Sequence, residues 1–338
     1  MSKVVSIIIP TYNMEAYLQK CLSSLLIPSL NKIEVLVVND GSHDRSLEIA
    51  QGFAEKYPES FIVIDKKNGN YGSCVNIGLA TATGQYVKVL DADDSFITEN
   101  FEQMVGVMEK TDTDLIITDF IKDHVDGEKR HISYKFPANK ILNFSDVCHD
   151  DDFRTLWMHA VAYKRENLLR IGYHQTEGIS YTDQEWVFLP MTTVRTLYYL
   201  PLPVYDYLLG REGQTMTGDV YYRNFGQNIT CTCTMLDELA SLTDISTEMR
   251  DVLHRKLYGR IKLIYKNCLV RCKDFDIREL IVLDDKLHTT SEELYRRSDE
   301  IRLSRPLFCY RYIRMWRRNH DSRLLRLIIS AYRMTKSI

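Results

Sequence analysis

The sequence predicts an α/β protein: a mostly parallel sheet flanked by helices, followed by a mainly helical C-terminal region. Three observations carry this. Apolar runs rich in β-branched residues, such as Val4–Ile9 and Ile33–Val38, each interrupted by one polar residue (Ser6, Glu34), read as strands buried on both faces. Stretches of helical periodicity alternate with such runs over the first 118 residues. From about residue 219 onward the strand pattern stops and the chain reads as nearly all helix, with no clear strand.

The elements follow in order. Val4–Ile9 is the first strand and ends at Pro10. Met14–Ile27 is helical in pattern, with Tyr17, Leu18, Cys21, Leu22, Leu25 and Leu26 recurring at spacings of three and four. Ile33–Val38 is the second strand, and Asp44 can cap the helix that runs to about Tyr57. Phe61–Ile64 is a third strand. Gly72–Thr83 is a helix with a small-residue face, closed by Gly84. Tyr86–Leu90, the helix Thr98–Lys110 and the strand Leu115–Thr118 complete the alternation. Beyond it the pattern weakens. Phe120–Tyr134 reads as a hairpin around Asp126-Gly127, Asp183–Val194 as a helix, and Leu197–Leu200 and Val204–Leu208 as strands. The expected division is a domain over 1–218, with halves of about 1–118 and 119–218, then a helical region over 219–338.

Composition narrows the class. The chain has 338 residues, 45% hydrophobic and 26% charged, which excludes disorder, collagen and a disulfide scaffold. A net charge of −3 disfavours a nucleic-acid binder. Eight cysteines lie scattered without a CxxC, so reduced thiols in a cytosolic protein are expected, and Cys268 with Cys272 do not make a zinc site. Neither a signal peptide nor an apolar run of membrane-spanning length is legible. Charge is uneven, because residues 301–338 hold ten Lys/Arg against the single acid Asp321. Within that tail, Tyr310–Arg318 and the apolar Leu324-Leu325 and Leu327–Ile329 have the makeup of an interfacial amphipathic helix. An anionic membrane surface and packing against the protein itself both remain open for it.

In an open parallel sheet, ligands bind at the carboxyl ends of the strands. The segments there are Pro10-Thr11-Tyr12-Asn13, Asn39-Asp40-Gly41-Ser42, Asn68-Gly69-Asn70-Tyr71-Gly72 and Asp91-Ala92-Asp93-Asp94. Three carboxylates within four residues repel one another and call for a counter-charge. A hard divalent cation, Mn²⁺ or Mg²⁺, supplies it. Both G-x-G-x-x-G at the first turn and a G-x-x-x-x-G-K-[ST] loop are missing, which leaves a nucleotide held through a metal rather than a glycine-rich loop.

Four motifs in order, Ile7-Ile8-Ile9-Pro10-Thr11-Tyr12-Asn13, Val37-Val38-Asn39-Asp40-Gly41-Ser42, Asn76-x-Gly78 with Ala82-x-Gly84, and Leu90-Asp91-Ala92-Asp93-Asp94, resemble the family-two nucleotide-sugar glycosyltransferases of the GT-A fold. The resemblance covers roughly residues 4–217. It implies a UDP-sugar donor, with Tyr12 flanking the uracil beside Pro10 and Thr11, and Asp40 accepting the uracil N3–H. Asn76 and Ala92 join the nucleotide-binding set, Asp91 lies near the ribose, and Asp93 holds the metal on the diphosphate with Asp91 and Asp94 in support. The base that deprotonates the acceptor is implied to be Asp183, in Tyr181-Thr182-Asp183-Gln184-Glu185-Trp186. The family commonly has Glu where this chain has Thr182, which leaves Glu185 as a second candidate, and a helix-capping role is compatible with Asp183. The implied reaction is one displacement with inversion. Tyr205-Asp206-Tyr207, Arg211 and Thr215 resemble a later segment that covers the diphosphate, with Arg211 on phosphate. His159 reads as a structural histidine. The Q-x-x-R-W motif and flanking membrane helices of the processive polymerases are missing, which implies addition of one or a few sugars to a glycan or lipid-linked glycan. The resemblance also implies bacterial surface-polysaccharide assembly in the cytoplasm, at the inner face of the membrane. An inactive nucleotide-binding module of the same fold is the alternative. A nucleotidyltransferase would want basic residues in the first loop, and Thr11–Glu15 has none.

Overall fold

The computed structural model describes residues 2–211, 213–214, 224–272, 276–305 and 308–334. The expected role of Thr215 lies outside these residues. The chain divides into two compact units, 1–217 and 218–338.

The first unit is built on a ten-stranded sheet. Strands β1 (Val5–Thr11), β2 (Ile33–Asn39), β3 (Phe61–Asp65) and β4 (Tyr86–Val89) are parallel and lie in the order β3-β2-β1-β4. Every residue of β2 and all but Pro10 of β1 are buried, as expected of strands covered on both faces. Register pairs Thr11 with Asn39 and Asn39 with Asp65, so three strands end level and bring their following loops together. Helices α1 (Leu18–Ser23), α2 (Ser46–Lys56), α3 (Asn70–Thr81) and α4 (Thr98–Lys110) connect or follow them. Gly84 is required where α3 gives way to β4, because a Cβ there would stand 2.5 Å from the Ser6 backbone nitrogen.

Beyond β4 the sheet turns mixed. A short strand, β5 (Ser95–Phe96), follows the acidic motif and pairs antiparallel with the edge of β10 (Thr196–Leu209). Between β4 and β10 lie β9 (Val161–Lys164), antiparallel to both neighbours, and β6 (Leu115–His124), parallel to β10. The hairpin partner β7 (Lys129–Ile132) pairs with β6, and β8 (Ile141–Asn143) pairs with β10. Short helices α5 (Phe144–Val147) and α6 (Arg165–Arg170) complete the unit.

Four expectations change. The helix expected over Met14–Ile27 contracts to Leu18–Ser23, because Ser24 Oγ donates to the Cys21 carbonyl and tight turns follow at Leu25 and Leu26. The helix expected over Asp183–Val194 is two 3-10 segments, Thr182–Val187 and Leu189–Thr193, interrupted at Phe188 just before Pro190. The strands Leu197–Leu200 and Val204–Leu208 are one strand, with a register shift at Pro203. The C-terminal unit is not strandless: β11 (Leu303–Arg305) and β12 (Phe308–Tyr310) form a hairpin.

That second unit is otherwise helical: α7 (Phe225–Ser241), α8 (Thr247–Lys266) running into a π turn at Asn267–Arg271, α9 (Ile277–Thr290), α10 (Glu292–Asp299), α11 (Tyr312–Arg318) and α12 (Arg323–Met334). Side-chain caps start three of them: Ser246 accepts from the Met249 N–H, Asp276 from Arg278 and Ser291 from Leu294. Much of the basic tail packs within this unit. Tyr312, Ile313 and Trp316 are buried on α11, and Leu325, Ile328, Ile329 and Tyr332 on α12. Arg317 bonds Asp284 and Asp299 at 2.7 Å each, and its guanidinium lies 3.6 Å from the Tyr295 ring centroid. Leu324, Leu327 and Met334 stay exposed on α12. None of the eight cysteines is in a disulfide. Among the described residues no helix is long and apolar enough to cross a membrane.

Candidate active site

The loops after β1 and β2 are laced together. The backbone N–H of Asn13 donates to Ser42 Oγ (3.1 Å), His43 N–H to Asn13 Oδ1 (2.8 Å), and Glu15 N–H to Asp44 Oδ2 (2.9 Å). Asn13 takes a left-handed conformation, φ 52°, to make this turn. On the surface so formed, Tyr12 is 43% exposed and meets the edge of His43, while Thr11 is buried and Pro10 half-buried. Asp40 is buried behind them. Its carboxylate receives Lys66 Nζ and the Gly69 N–H (2.9 Å), and its carbonyl accepts from Asn68 (2.9 Å). No motif marks Lys66 in the sequence; its one signal is that a buried Asp40 demands a cation.

The acidic motif sits at the end of β4. Asp91 Oδ1 accepts from the Tyr71 hydroxyl (2.8 Å). Asp94 is buried and accepts from Tyr205 OH (2.6 Å) and the Leu208 N–H (2.8 Å). The Tyr205 hydroxyl also lies 3.1 Å from the Asp91 backbone nitrogen, so one phenol ties β10 to both ends of the motif. Asp93 turns to Arg211, whose Nε donates to Oδ2 at 2.5 Å. Ala92 is buried. Burial, then the negative charge of Asp93, raises the Asp91 carboxyl to about 7. The same two causes push Asp94 well above the usual carboxylate range. Among the described residues Arg211 is the cation paired with the motif.

His159 joins this cluster. Ligand atoms of Asp91, Asp94 and His159 all lie within 4.8 Å of one another. Its ring stacks on Tyr207 at 4.2 Å and meets Tyr205 edge-on at 4.7 Å, and Nδ1 is buried without a hydrogen-bond partner. Burial, with Lys88 and Lys122 nearby, lowers its pKa to about 3, so the imidazole is neutral and its lone pair is available. Two crowded carboxylates whose ionisation burial disfavours, with an imidazole nitrogen that has no hydrogen-bond partner, fit a divalent cation, which would supply the charge that lets both ionise. His159, expected as a structural histidine, is 65 positions from Asp94 in sequence, and the β9–β6–β10 pairing brings the two together.

Asp183 reaches the same place from the second half of the unit. It is half-buried, and its charge helps raise the pKa of Tyr71, Asp91 and Tyr207. Gln184 Nε2 donates to Asp183 Oδ2 at 2.8 Å. Tyr181, one residue before this 3-10 segment, is left-handed at φ 66°, a costly conformation for a tyrosine. Glu185 is instead fully buried and accepts from the Thr176 N–H at 2.7 Å, which removes it from the cleft. Gln175 Nε2 donates to the Thr182 carbonyl (2.6 Å) and to Thr182 Oγ1 (3.0 Å). Asn76, expected at the nucleotide, is taken up by this strap. Its amide accepts from Gln175 N–H (2.8 Å) and donates to the Gln175 carbonyl and Glu177 (2.9 Å each). Gly72 lets the strap lie flat on α3, since a Cβ there would overlap the Thr176 carbonyl.

The family model for glycosyl transferase family 2 matches residues 6–187. The chain belongs to glycosyl transferase family 2. The Bacillus subtilis proteins EpsJ, an uncharacterized glycosyltransferase, and EpsH, a putative one, are 31% and 35% identical over 54% and 60% of this chain and of their own lengths. The matches thus span little more than half of these relatives. The minor teichoic acid biosynthesis protein GgaB of the same organism is 32% identical over 43% of this chain and 16% of its own. Residues 1–349 of Staphylococcus aureus TarS, solved with UDP-GlcNAc, superpose with a TM-score of 0.73 at 19% identity, covering 98% of this chain and 92% of that one. The mannosyltransferase PcManGT of Pyrobaculum calidifontis, solved with GDP-Man and Mn²⁺, gives 0.54 at 15%, over 88% and 83%. These two likenesses carry the GT-A fold.

Proposed function

We propose that this protein transfers a sugar from a UDP-sugar to an acceptor hydroxyl, with inversion and with a divalent metal, in the assembly of a cell-surface polymer. The observation that supports the reading is the Asp91–Asp94–His159 cluster, with Asp183 near enough to bear on the charge of Asp91; a carboxylate base and a metal-fit acidic centre would then share one cleft. The names of GgaB and TarS's bound UDP-GlcNAc support the polymer and the donor.

In this reading Tyr12 and the Pro10–Thr11 backbone flank the uracil, and Asp40, fixed by Lys66 and Gly69, accepts its N3–H. Asp91, Asp94 and His159 would hold Mn²⁺ or Mg²⁺, with Asp93 beside them. When bound, the cation supplies positive charge to the diphosphate leaving group. Arg211, 5.3 Å over the Tyr17 ring and now on Asp93, can pair with phosphate once that carboxylate is otherwise engaged. Asp183 takes the proton of the acceptor hydroxyl on the side opposite the leaving group, and Gln184 holds its second oxygen. Tyr71, Tyr205 and Tyr207, set against Asp91, Asp94 and His159, would wall the cleft. The exposed Leu324, Leu327 and Met334, beside Arg323 and Arg326, would let α12 rest on the inner face of an anionic membrane.

The test is a thermal-shift panel of UDP, GDP, CDP and TDP and their sugars, with and without Mn²⁺. A UDP compound should stabilise the protein only with metal, and Asp91→Ala should abolish the effect. No shift with any nucleotide at millimolar concentration overturns the donor reading.

A further inference from the structure

One stretch of the cleft is not used by this chemistry. Strand register places Tyr207 beside Lys122, and Lys122 beside Arg130. Residues at paired positions share a sheet face. That face also carries Phe120 and Tyr205, whose rings pack on His159. Lys122 Nζ sits 4.0 Å from the Trp157 ring centroid, and Trp157 is half-buried.

The electrostatics here are lopsided. Burial, then Arg130, lowers the Lys122 pKa; no acid acts to raise it. Nearby carboxylates serve elsewhere: Asp123 pairs with Lys129 at 2.8 Å, while Asp119 takes Tyr199 (2.6 Å) and His131 (2.8 Å). All of these lie at positions of the opposite alternation, on the other face of β6. Like charges directly opposite on paired strands are destabilising. Two facing cations without an acid, beside an indole ring, form a site for an anion attached to something flat or apolar.

We propose that Lys122, Arg130 and Trp157 form an acceptor subsite that binds a phosphate group of the acceptor, with the adjoining sugar or polyol on the Trp157 ring. This rests on the transferase reading above. Tyr207, paired with Lys122 across the strands, stacks on His159 at 4.2 Å, so the subsite adjoins the Asp91–Asp94–His159 cluster through one tyrosine. An acceptor phosphate held there brings an adjacent hydroxyl to Asp183. The phosphate can belong to a phosphodiester-linked polymer or to a lipid diphosphate carrier.

The experiment measures binding by calorimetry for wild type, Lys122→Ala, Lys122→Arg, Arg130→Ala and Lys129→Ala. The probes are a synthetic glycerol-phosphate hexamer, farnesyl diphosphate in detergent micelles, glycerol, and UDP with Mn²⁺. Wild type should bind one phosphate probe and not glycerol. Lys122→Ala and Arg130→Ala should each weaken that binding about tenfold, the worth of one charge-assisted contact. Lys122→Arg should retain it, and Lys129→Ala, on the opposite face, should match wild type. Hexamer binding assigns the polymer, and farnesyl diphosphate binding assigns the lipid carrier. Failure of both phosphate probes overturns the proposal, as does a Lys122→Ala variant that loses UDP while keeping the phosphate probe. Loss of UDP binding by wild type itself overturns the transferase reading instead.

Discussion

Asn76→Ala separates a strap-holding role from a nucleotide-binding one. The Asn76 amide bonds both the N–H and the carbonyl of Gln175, at 2.8 and 2.9 Å, and Gln175 is fully buried. Alanine leaves a buried donor and a buried acceptor without partners. At roughly 1–3 kcal/mol for each unsatisfied group, partly relieved by water at the open side, the loss comes to about 3 kcal/mol. That corresponds to a fall in Tm of about 6–12 °C for a unit of this size. Because Gln175 in turn holds Thr182, next to Asp183, the variant should lower kcat at permissive temperature while leaving the affinity for UDP with Mn²⁺ unchanged. Differential scanning fluorimetry, UDP titration and transfer kinetics on one preparation read all three. An unchanged Tm with a large loss of UDP affinity would refute the strap argument and return Asn76 to the nucleotide.

Other consequences are as direct. Asp91, raised to about 7, keeps a proton in the folded protein where the unfolded chain, with its ordinary value of 3.8, has released it. Metal-free protein should therefore lose stability relative to Asp91→Asn as pH rises from about 4 to 7, by up to about 4 kcal/mol, and saturating Mn²⁺ should flatten the difference. The comparison with Asp91→Asn is needed because His159, lowered to about 3, drives stability the opposite way between pH 3 and 6.5. In the second unit, Arg317→Ala strands the buried Asp284 and should destabilise it by about 3–5 kcal/mol in chemical denaturation, whereas Arg318→Ala, exposed, should change it by less than about 0.5 kcal/mol. Equal effects would contradict the division of the tail into packed and solvent-facing arginines. Gly72→Ala should fail to fold at 37 °C by limited proteolysis, since the Thr176 carbonyl has nowhere to move while Asn76 and Glu185 hold the strap.

The parallel half of the sheet was legible because its strands are apolar runs broken by at most one polar residue before their ends (Ser6, Glu34, Lys88), and polar motifs follow them. Asp40, Asp91 and Asp94 could be found for the same reason: they follow strands directly. The mixed half was not legible. β5 has two residues and β9 four, too few for a period, and both form only because longer neighbours offer an edge. His159 and Lys122 owe their place in the cleft to that pairing, so no local pattern marks them. Asn76 illustrates a different limit. Its motif was recognisable, but which face of α3 meets the strap depends on residues 174–177, nearly one hundred positions away.

The most direct test of the account is the Asp183→Asn variant, assayed in one preparation for UDP binding with Mn²⁺ and for sugar transfer. UDP affinity should stay within about twofold of wild type and transfer should fall by about 10²–10⁴, the usual worth of a positioned base. Transfer near the wild-type rate, with the nucleotide still bound, would contradict the account.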